Sequence, residues 1–340
     1  MVERTFGKPS LSPREIYAEL DRYVIGQETA KRAVAVAAYH HWRRIQSGPN
    51  SLLRKSNMLL IGPTGSGKTH LARQLARILD LPLVIVNATE YTEAGYYGKD
   101  VEVMIAELLF KTEGDLEATQ HGIVFVDEID KISRRNHFGN TGAGQRDIGG
   151  EGVQQAILKL LEANKVFVPL NVTQHWSKHD FVQVDVTDIL FICAGTFTDL
   201  GRGRYKAEVG FLEKDDARPG RRIETKDLEE YGMLAELLGR LPVVIELSEL
   251  TTEELGRILV DPPDALWREY QELFAADDIR LVLEDDGRQA IVAEARRRKL
   301  GARGLRTILE AVLADLSFEA PERAGQTVVV DAAFVARQVR

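Results

Sequence analysis

Continuous apolar runs alternate along this chain with amphipathic stretches, and the alternation predicts strands and helices in turn. Residues 58–61, 83–86, 123–126 and 189–193 are short, apolar runs, most of them rich in β-branched side chains. Such runs suit strands buried on both faces, as in a parallel sheet covered by helices. Ser12-Pro13 opens a predicted helix that reaches about Asp21. A longer helix is expected over residues 28–44, ended by Gly48-Pro49-Asn50. Further helical patterns start near Asp100, run over residues 150–161 with Val153, Ile157, Leu158 and Leu161 on one face, and cover 227–238. Residues 167–172, 182–186 and 243–247 add predicted strands. This is the pattern of an α/β fold, a parallel β-sheet flanked by helices.

Beyond residue 250 the pattern changes. Thr251 with Glu254 reads as a capping box, and helices are expected over 251–260, 264–275, 286–299 and from Gly301 to about Ser317. The last carries Leu305, Ile308, Leu309 and Leu313 on one face, and only residues 279–283 and 327–330 read as strands. A small, mainly helical C-terminal domain over 251–340 is therefore expected after a large α/β domain over 14–250. Residues 1–13 read as a loose arm. A length of 340 residues is enough for two cores.

Composition narrows the function. The net charge of −8 argues against a dedicated nucleic-acid binder, although basic stretches exist locally. The single cysteine, Cys193, lies in an apolar run and is expected to pack in the core. No apolar run approaches a membrane span and no signal-peptide core is visible, so a cytoplasmic protein is expected.

The chemistry concentrates after the first apolar run. Gly62-Pro63-Thr64-Gly65-Ser66-Gly67-Lys68-Thr69, followed by His70, is a complete phosphate-loop pattern between strand and helix. Its glycines let backbone N–H groups face a phosphate, Lys68 reaches β/γ-phosphates, and Thr69 offers a hydroxyl to Mg²⁺. The apolar run 123–126 delivers Asp127 and Glu128 at its end. Asp127 can reach the Mg²⁺ shell through water, and Glu128 can polarise the attacking water. Thr196, just past the run 189–193, could contact the γ-phosphate or its water. Arg240 ends an element and is available to a neighbour, and Arg303 stands at a helix start.

Other features stay open between two readings. Gly95-Tyr96-Tyr97-Gly98 is either a packed loop or an exposed one whose rings grip a ligand. His175 and His179 lack an evident third metal ligand, so an exposed loop touching a partner is the better reading. Residues 201–222 are basic but interleaved with acids, and within them Val209-Gly210-Phe211 is an apolar tip fit for docking.

Taken together, these strings resemble the ClpX group of AAA+ protein unfoldases over about residues 13–335. The resemblance is carried by Val24-Ile25-Gly26-Gln27, the phosphate loop, Glu93-Ala94-Gly95-Tyr96, and residues 125–134. Gly150-Glu151-Gly152-Val153-Gln154-Gln155, Gly239-Arg240-Leu241-Pro242 and Gly301-Ala302-Arg303-Gly304-Leu305-Arg306 complete it. It implies an AAA+ P-loop NTPase with ATP and Mg²⁺ as cofactors, a homo-hexameric ring, and threading of unfolded or tagged proteins through the pore. Val24 and Ile25 would pack around adenine, Arg240 would reach a neighbour's γ-phosphate, Arg303 would be a sensor arginine, and Thr196 lies near the first-sensor position. Tyr96 and Tyr97 would grip substrate, with Lys178 and His179 at the pore mouth. Val209, Gly210 and Phe211 would dock a ClpP-type peptidase.

The sequence departs from that group in several places. The usual zinc-binding Cys-rich domain is not in this sequence, Tyr97 replaces a small aliphatic residue, and Ser177-Lys178-His179 keeps part of a basic element. The stretch 233–238 lacks a proline. A peptidase-independent remodeller of one protein complex is the alternative reading. A DNA-associated AAA+ motor is a third, opposed by the acidic balance.

Overall fold

The computed structural model describes residues 11–48, 52–92, 99–134, 148–169, 181–198, 200, 223–298 and 301–338. In chain order the helices and strands are α1 (Pro13–Asp21), α2 (Glu28–Gln46), β1 (Met58–Ile61), α3 (Lys68–Leu79), β2 (Leu83–Asn87), α4 (Val103–Lys111), α5 (Leu116–Gln120), β3 (Ile123–Asp127) and α6 (Ile148–Glu162). Then follow β4 (Lys165–Pro169), β5 (Phe181–Asp185), β6 (Leu190–Gly195), α7 (Thr225–Tyr231), α8 (Ala235–Gly239) and β7 (Val243–Glu246). The chain ends with α9 (Thr252–Val260), α10 (Leu266–Ala275), β8 (Arg280–Leu283), α11 (Asp285–Arg297), α12 (Gly301–Phe318), β9 (Thr327–Val330) and α13 (Ala332–Gln338). The described residues form two compact units, one from those within 11–16, 32–62 and 72–246, the other from those within 17–31, 63–71 and 247–338.

The first unit is built on a five-stranded parallel sheet in the order β2-β3-β6-β1-β7. The central strands are apolar because both faces are covered: Leu59, Phe125, Phe191 and Cys193 are all fully buried. Burial pushes the Cys193 thiol up to about 12, so it behaves as a small apolar side chain. Register aligns the strand ends. Asn87 stands beside Asp127, Val126 beside Cys193, and Ile61 beside Gly195. The carboxyl ends of the strands therefore share one edge, the place where open α/β sheets bind ligands. A separate antiparallel pair, β4 and β5, lies outside this sheet.

The helix expected over 227–238 is two short helices, α7 and α8. Gly232 ends α7 in the left-handed conformation at φ 110°, a position where a side chain would strike the backbone of Arg134. The strand expected to start at Phe167 begins at Lys165, and α13 follows the predicted closing strand.

The second unit contains α9 to α13 with β8 and β9 paired in parallel. Its core joins Leu255, Trp267, Phe274, Ile291, Leu305 and Leu309. Thr251 caps α9: its hydroxyl accepts from the Glu254 N–H at 3.1 Å, and the Glu254 carboxylate accepts from the Thr251 N–H at 2.7 Å. Among the described residues no helix is long and apolar enough to cross a membrane.

Candidate nucleotide site

Within the first unit, the acidic end of β3 is shaped by its backbone. Asp127 closes the strand, and its carboxylate accepts the N–H of Glu128 at 2.9 Å. Glu128 then turns into the left-handed region, φ 58° and ψ 31°, ahead of the tight turn Ile129–Ile132. A non-glycine residue pays about 1 kcal/mol for that conformation, and such outliers collect at functional positions.

Asn87, at the end of neighbouring β2, fixes the Glu128 carboxylate. Its side-chain oxygen accepts from both the N–H and the hydroxyl of Thr89, at 2.9 and 2.8 Å. That commitment turns the amide nitrogen toward Glu128, to which it donates at 3.1 Å.

The next acid, Asp130, is 2% exposed and holds Thr196 by two bonds. It accepts from the Thr196 N–H at 3.2 Å and from the hydroxyl at 2.9 Å, with the Lys131 ammonium 3.4 Å away. The Thr196 hydrogen is thus spent, and its oxygen presents lone pairs. That suits an approaching water hydrogen better than a phosphate oxygen.

Neither Asn87 nor Asp130 was singled out from the sequence as a site residue. The available signal was a polar residue closing an apolar strand, and a second acid spaced after the Asp-Glu pair.

Arg240 follows α8, and its main chain is tied to the sheet. Buried Asn57 donates to the Arg240 carbonyl at 3.1 Å and accepts from the Phe191 N–H at 3.2 Å. The guanidinium reaches out, half exposed, and donates twice to one oxygen of Glu162, at 2.9 and 2.6 Å.

Within the second unit, residues 24–27 form a turn over α2. Val24 and Ile25 are buried. The Lys31 ammonium, itself buried, donates to the Val24 carbonyl at 3.2 Å and to Glu28 at 2.9 Å, and pairs with Asp21. Burial opposes its charge, but the hydrogen bonds from Asp21 and Glu28 outweigh burial and hold its pKa above the ordinary value.

The phosphate loop follows β1, where the Gly62 N–H donates to the Gly195 carbonyl at 3.2 Å. Pro63 and Thr64 are exposed at its tip. Gly65 and Gly67 adopt φ 81° and 98°, the left-handed bends that turn successive N–H groups to one side. Ser66 between them has a buried hydroxyl with no hydrogen-bond partner among the described residues. Lys68 is 8% exposed, and its ammonium rests on the Pro63 carbonyl at 3.0 Å. Thr69 lies in the first turn of α3, and the next residue, His70, reaches the Tyr23 carbonyl at 3.1 Å, joining the loop to the 24–27 turn.

Gly301 opens α12 against this loop. A Cβ there would lie 3.2 Å from both Gly65 Cα and the Thr64 carbonyl, a tight contact, and φ 56° is strained for any other residue, so glycine suits the approach. Arg303 is exposed in the same first turn.

This donor set fits a nucleotide phosphate: left-handed glycines, an orphan hydroxyl and a buried lysine held over the loop. Among the described residues no group of three His, Cys, Asp or Glu could hold a metal alone. Mg²⁺ held by a hydroxyl, waters and phosphate oxygens needs no such cage. Tyr96, Tyr97, Lys178, His179, Val209, Gly210 and Phe211, with His175, lie outside the described residues.

Residues 53–244 match the family model described as AAA domain (Cdc48 subfamily). Residues 250–328 match the C-terminal, D2-small domain, of ClpB protein. The ATP-dependent Clp protease ATP-binding subunit ClpX 2 of Wolinella succinogenes is 45% identical over 313 residues, covering 92% of this chain and 78% of that protein. The ATP-dependent Clp protease ATP-binding subunit ClpX of Treponema denticola is 42% identical over 339 residues, covering 96% and 80%. With a matched P-loop fold and this identity over nearly its whole length, the chain belongs to the ClpX family of AAA+ ATPases and chaperones.

Proposed function

We propose that this chain works as a homo-hexameric, ATP-driven unfoldase that threads polypeptides through its pore and delivers them to a ClpP-type peptidase. The observation that carries the reading is the 45% identity to a Clp protease ATP-binding subunit. The poised Glu128 carboxylate supports an active hydrolytic site rather than an inert scaffold.

Bound Mg²⁺ supplies charge neutralisation for the phosphates. In this reading Lys68 and the loop N–H groups bind phosphate oxygens, while Thr69 offers a hydroxyl ligand. Asp127 reaches the same ion through water. Val24 and Ile25 enclose the base. Glu128 accepts hydrogen from the attacking water, and the Thr196 oxygen accepts the second. Arg240, and Arg303 from α12, meet charge that grows during phosphoryl transfer. Tyr96 and Tyr97 grip by contact area, which tolerates varied sequences. Lys178 and His179 meet substrate at the pore mouth, and Val209, Gly210 and Phe211 dock the peptidase.

The test mixes the protein, ATP and a ClpP-type peptidase with a folded fluorescent reporter bearing an unstructured tail. Fluorescence loss with peptide release is expected, and Glu128→Gln should abolish both while retaining ATP binding. Fluorescence loss without peptide release would replace delivery with peptidase-independent remodelling. Intact reporters across several tails, with ATP still hydrolysed, would overturn the unfoldase reading.

A further inference from the structure

Gln27 has no part in the roles above, yet its side chain is 7% exposed and every polar atom is used. Its oxygen accepts from the Ser248 N–H at 3.0 Å and faces the Ser248 hydroxyl at 3.4 Å. Its nitrogen donates to the Ser248 carbonyl at 2.8 Å and to the Ser66 carbonyl at 3.2 Å. One rigid amide plane therefore joins the phosphate loop to the residues that precede α9.

The backbone underlines the arrangement. Gly26 and Gln27 adopt φ 69° and 56°, two left-handed residues in succession. Glycine takes that conformation freely, whereas glutamine does not. The four side-chain contacts hold Gln27 there. Ser66 is also the loop residue whose hydroxyl is orphaned. Only a carboxamide provides two donor hydrogens and an acceptor in one plane. A carboxylate at the same place would set oxygen against two carbonyl oxygens, and a methionine would fill the volume with no bond.

We propose that Gln27 is a positioning residue that couples phosphate occupancy of residues 62–69 to residues 247–251, the segment leading into α9. The proposal rests on the reading that this loop binds nucleotide phosphate. When phosphate draws on the loop N–H groups, the Ser66 peptide reorients, and its carbonyl carries the shared amide with it. The Ser248 N–H and carbonyl, bonded to the same amide, respond.

Hydrogen exchange of the full chain, with and without a slowly hydrolysed ATP analogue, tests this. Binding is read separately with a fluorescent ATP derivative. In the parent protein, the analogue should slow exchange over residues 247–251 at least threefold. Gln27→Glu and Gln27→Met should each bind nucleotide about tenfold more weakly, keep kcat within about threefold, and lose the nucleotide-dependent change at 247–251. A residue that only supports the fold would lower the melting temperature and leave that change intact.

An unchanged 247–251 segment in the parent protein would overturn the coupling without any variant, so a misfolded Gln27→Glu leaves the test standing. Retention of the change in Gln27→Met would overturn it as well. Failure of the parent to bind the ATP derivative would instead remove the phosphate-loop reading on which the coupling stands.

Discussion

At the residue scale Glu128, the base proposed to activate water, is held from two sides. Its backbone sits in a costly left-handed conformation, and its carboxylate takes a hydrogen bond from Asn87 at 3.1 Å. Thr89 orients that amide, so Asn87 presents a donor rather than an acceptor. Asn87→Ala should leave Glu128 free to wander. We expect kcat for ATP to fall about tenfold with KM nearly unchanged, because misplacing a base costs reactive geometry rather than ground-state binding. Asn87→Asp sets a second carboxylate against Glu128, and like charges raise a carboxyl pKa. The acid limb of its pH–rate profile should move to higher pH. Parental kinetics in both variants would remove Asn87 from the mechanism.

At the element scale, α9 shows how a local signal reaches the site. Thr251 and Glu254 exchange hydrogen bonds at its first turn, and the Glu254 side chain packs against Gly26 in the 24–27 turn. Thr251→Ala should cost about 1 kcal/mol of local stability, the usual value of a lost cap. Faster amide exchange confined to the first turn of α9 checks it; unchanged exchange there would contradict it. The cap was legible because Thr and Glu three residues apart need no partner from elsewhere. The central strands were legible for a related reason, since burial on both faces leaves an unbroken apolar run. The phosphate loop was legible from glycine and lysine spacing. What sequence could not give depends on register and tight turns. Asn87 meets Glu128 because β2 pairs β3 with Asn87 beside Asp127. Asp130 meets Thr196 because the turn Ile129–Ile132 swings it toward the end of β6. The break between α7 and α8 hid behind Gly232, whose left-handed cap no helical period announces. The parallel pairing of β8 with β9 joins segments separated by two helices.

At the scale of the whole molecule, acid stability turns on a histidine far from the chemistry in sequence. His41 on α2 is fully buried. Burial first, then the positive charges of Lys55, Arg44 and His121, drive its pKa down to about 3; the Asp188 backbone only partly opposes them, and neither ring nitrogen has a hydrogen-bond partner among the described residues. Arg44 pairs with Asp188, so that carboxylate is already engaged. Lys55 is pushed down to about 8, chiefly by burial and by Arg44, against the attraction of Asp188 and Asp185. Its ammonium donates to the Val186 carbonyl at 2.7 Å and sits over the Phe191 ring. A further cation is thus unwelcome there. Below about pH 6.5 the unfolded chain takes a proton on this histidine that the folded chain refuses. The unfolded state then binds more protons, so stability falls as pH falls from about 6.5 toward 3. The slope from this one group is at most about 1.4 kcal/mol per pH unit. Urea unfolding of the nucleotide-free chain at several pH values should show a steep acid limb. His41→Leu keeps the volume apolar and removes the titration, so its limb should be shallower by up to that slope. The carboxylates that also drive acid unfolding are common to both proteins and cancel in the comparison. Parallel limbs would mean that His41 is protonated in the folded state, and the cationic surroundings of Lys55 and Arg44 would then have to be relieved by a rearrangement of α2 in acid.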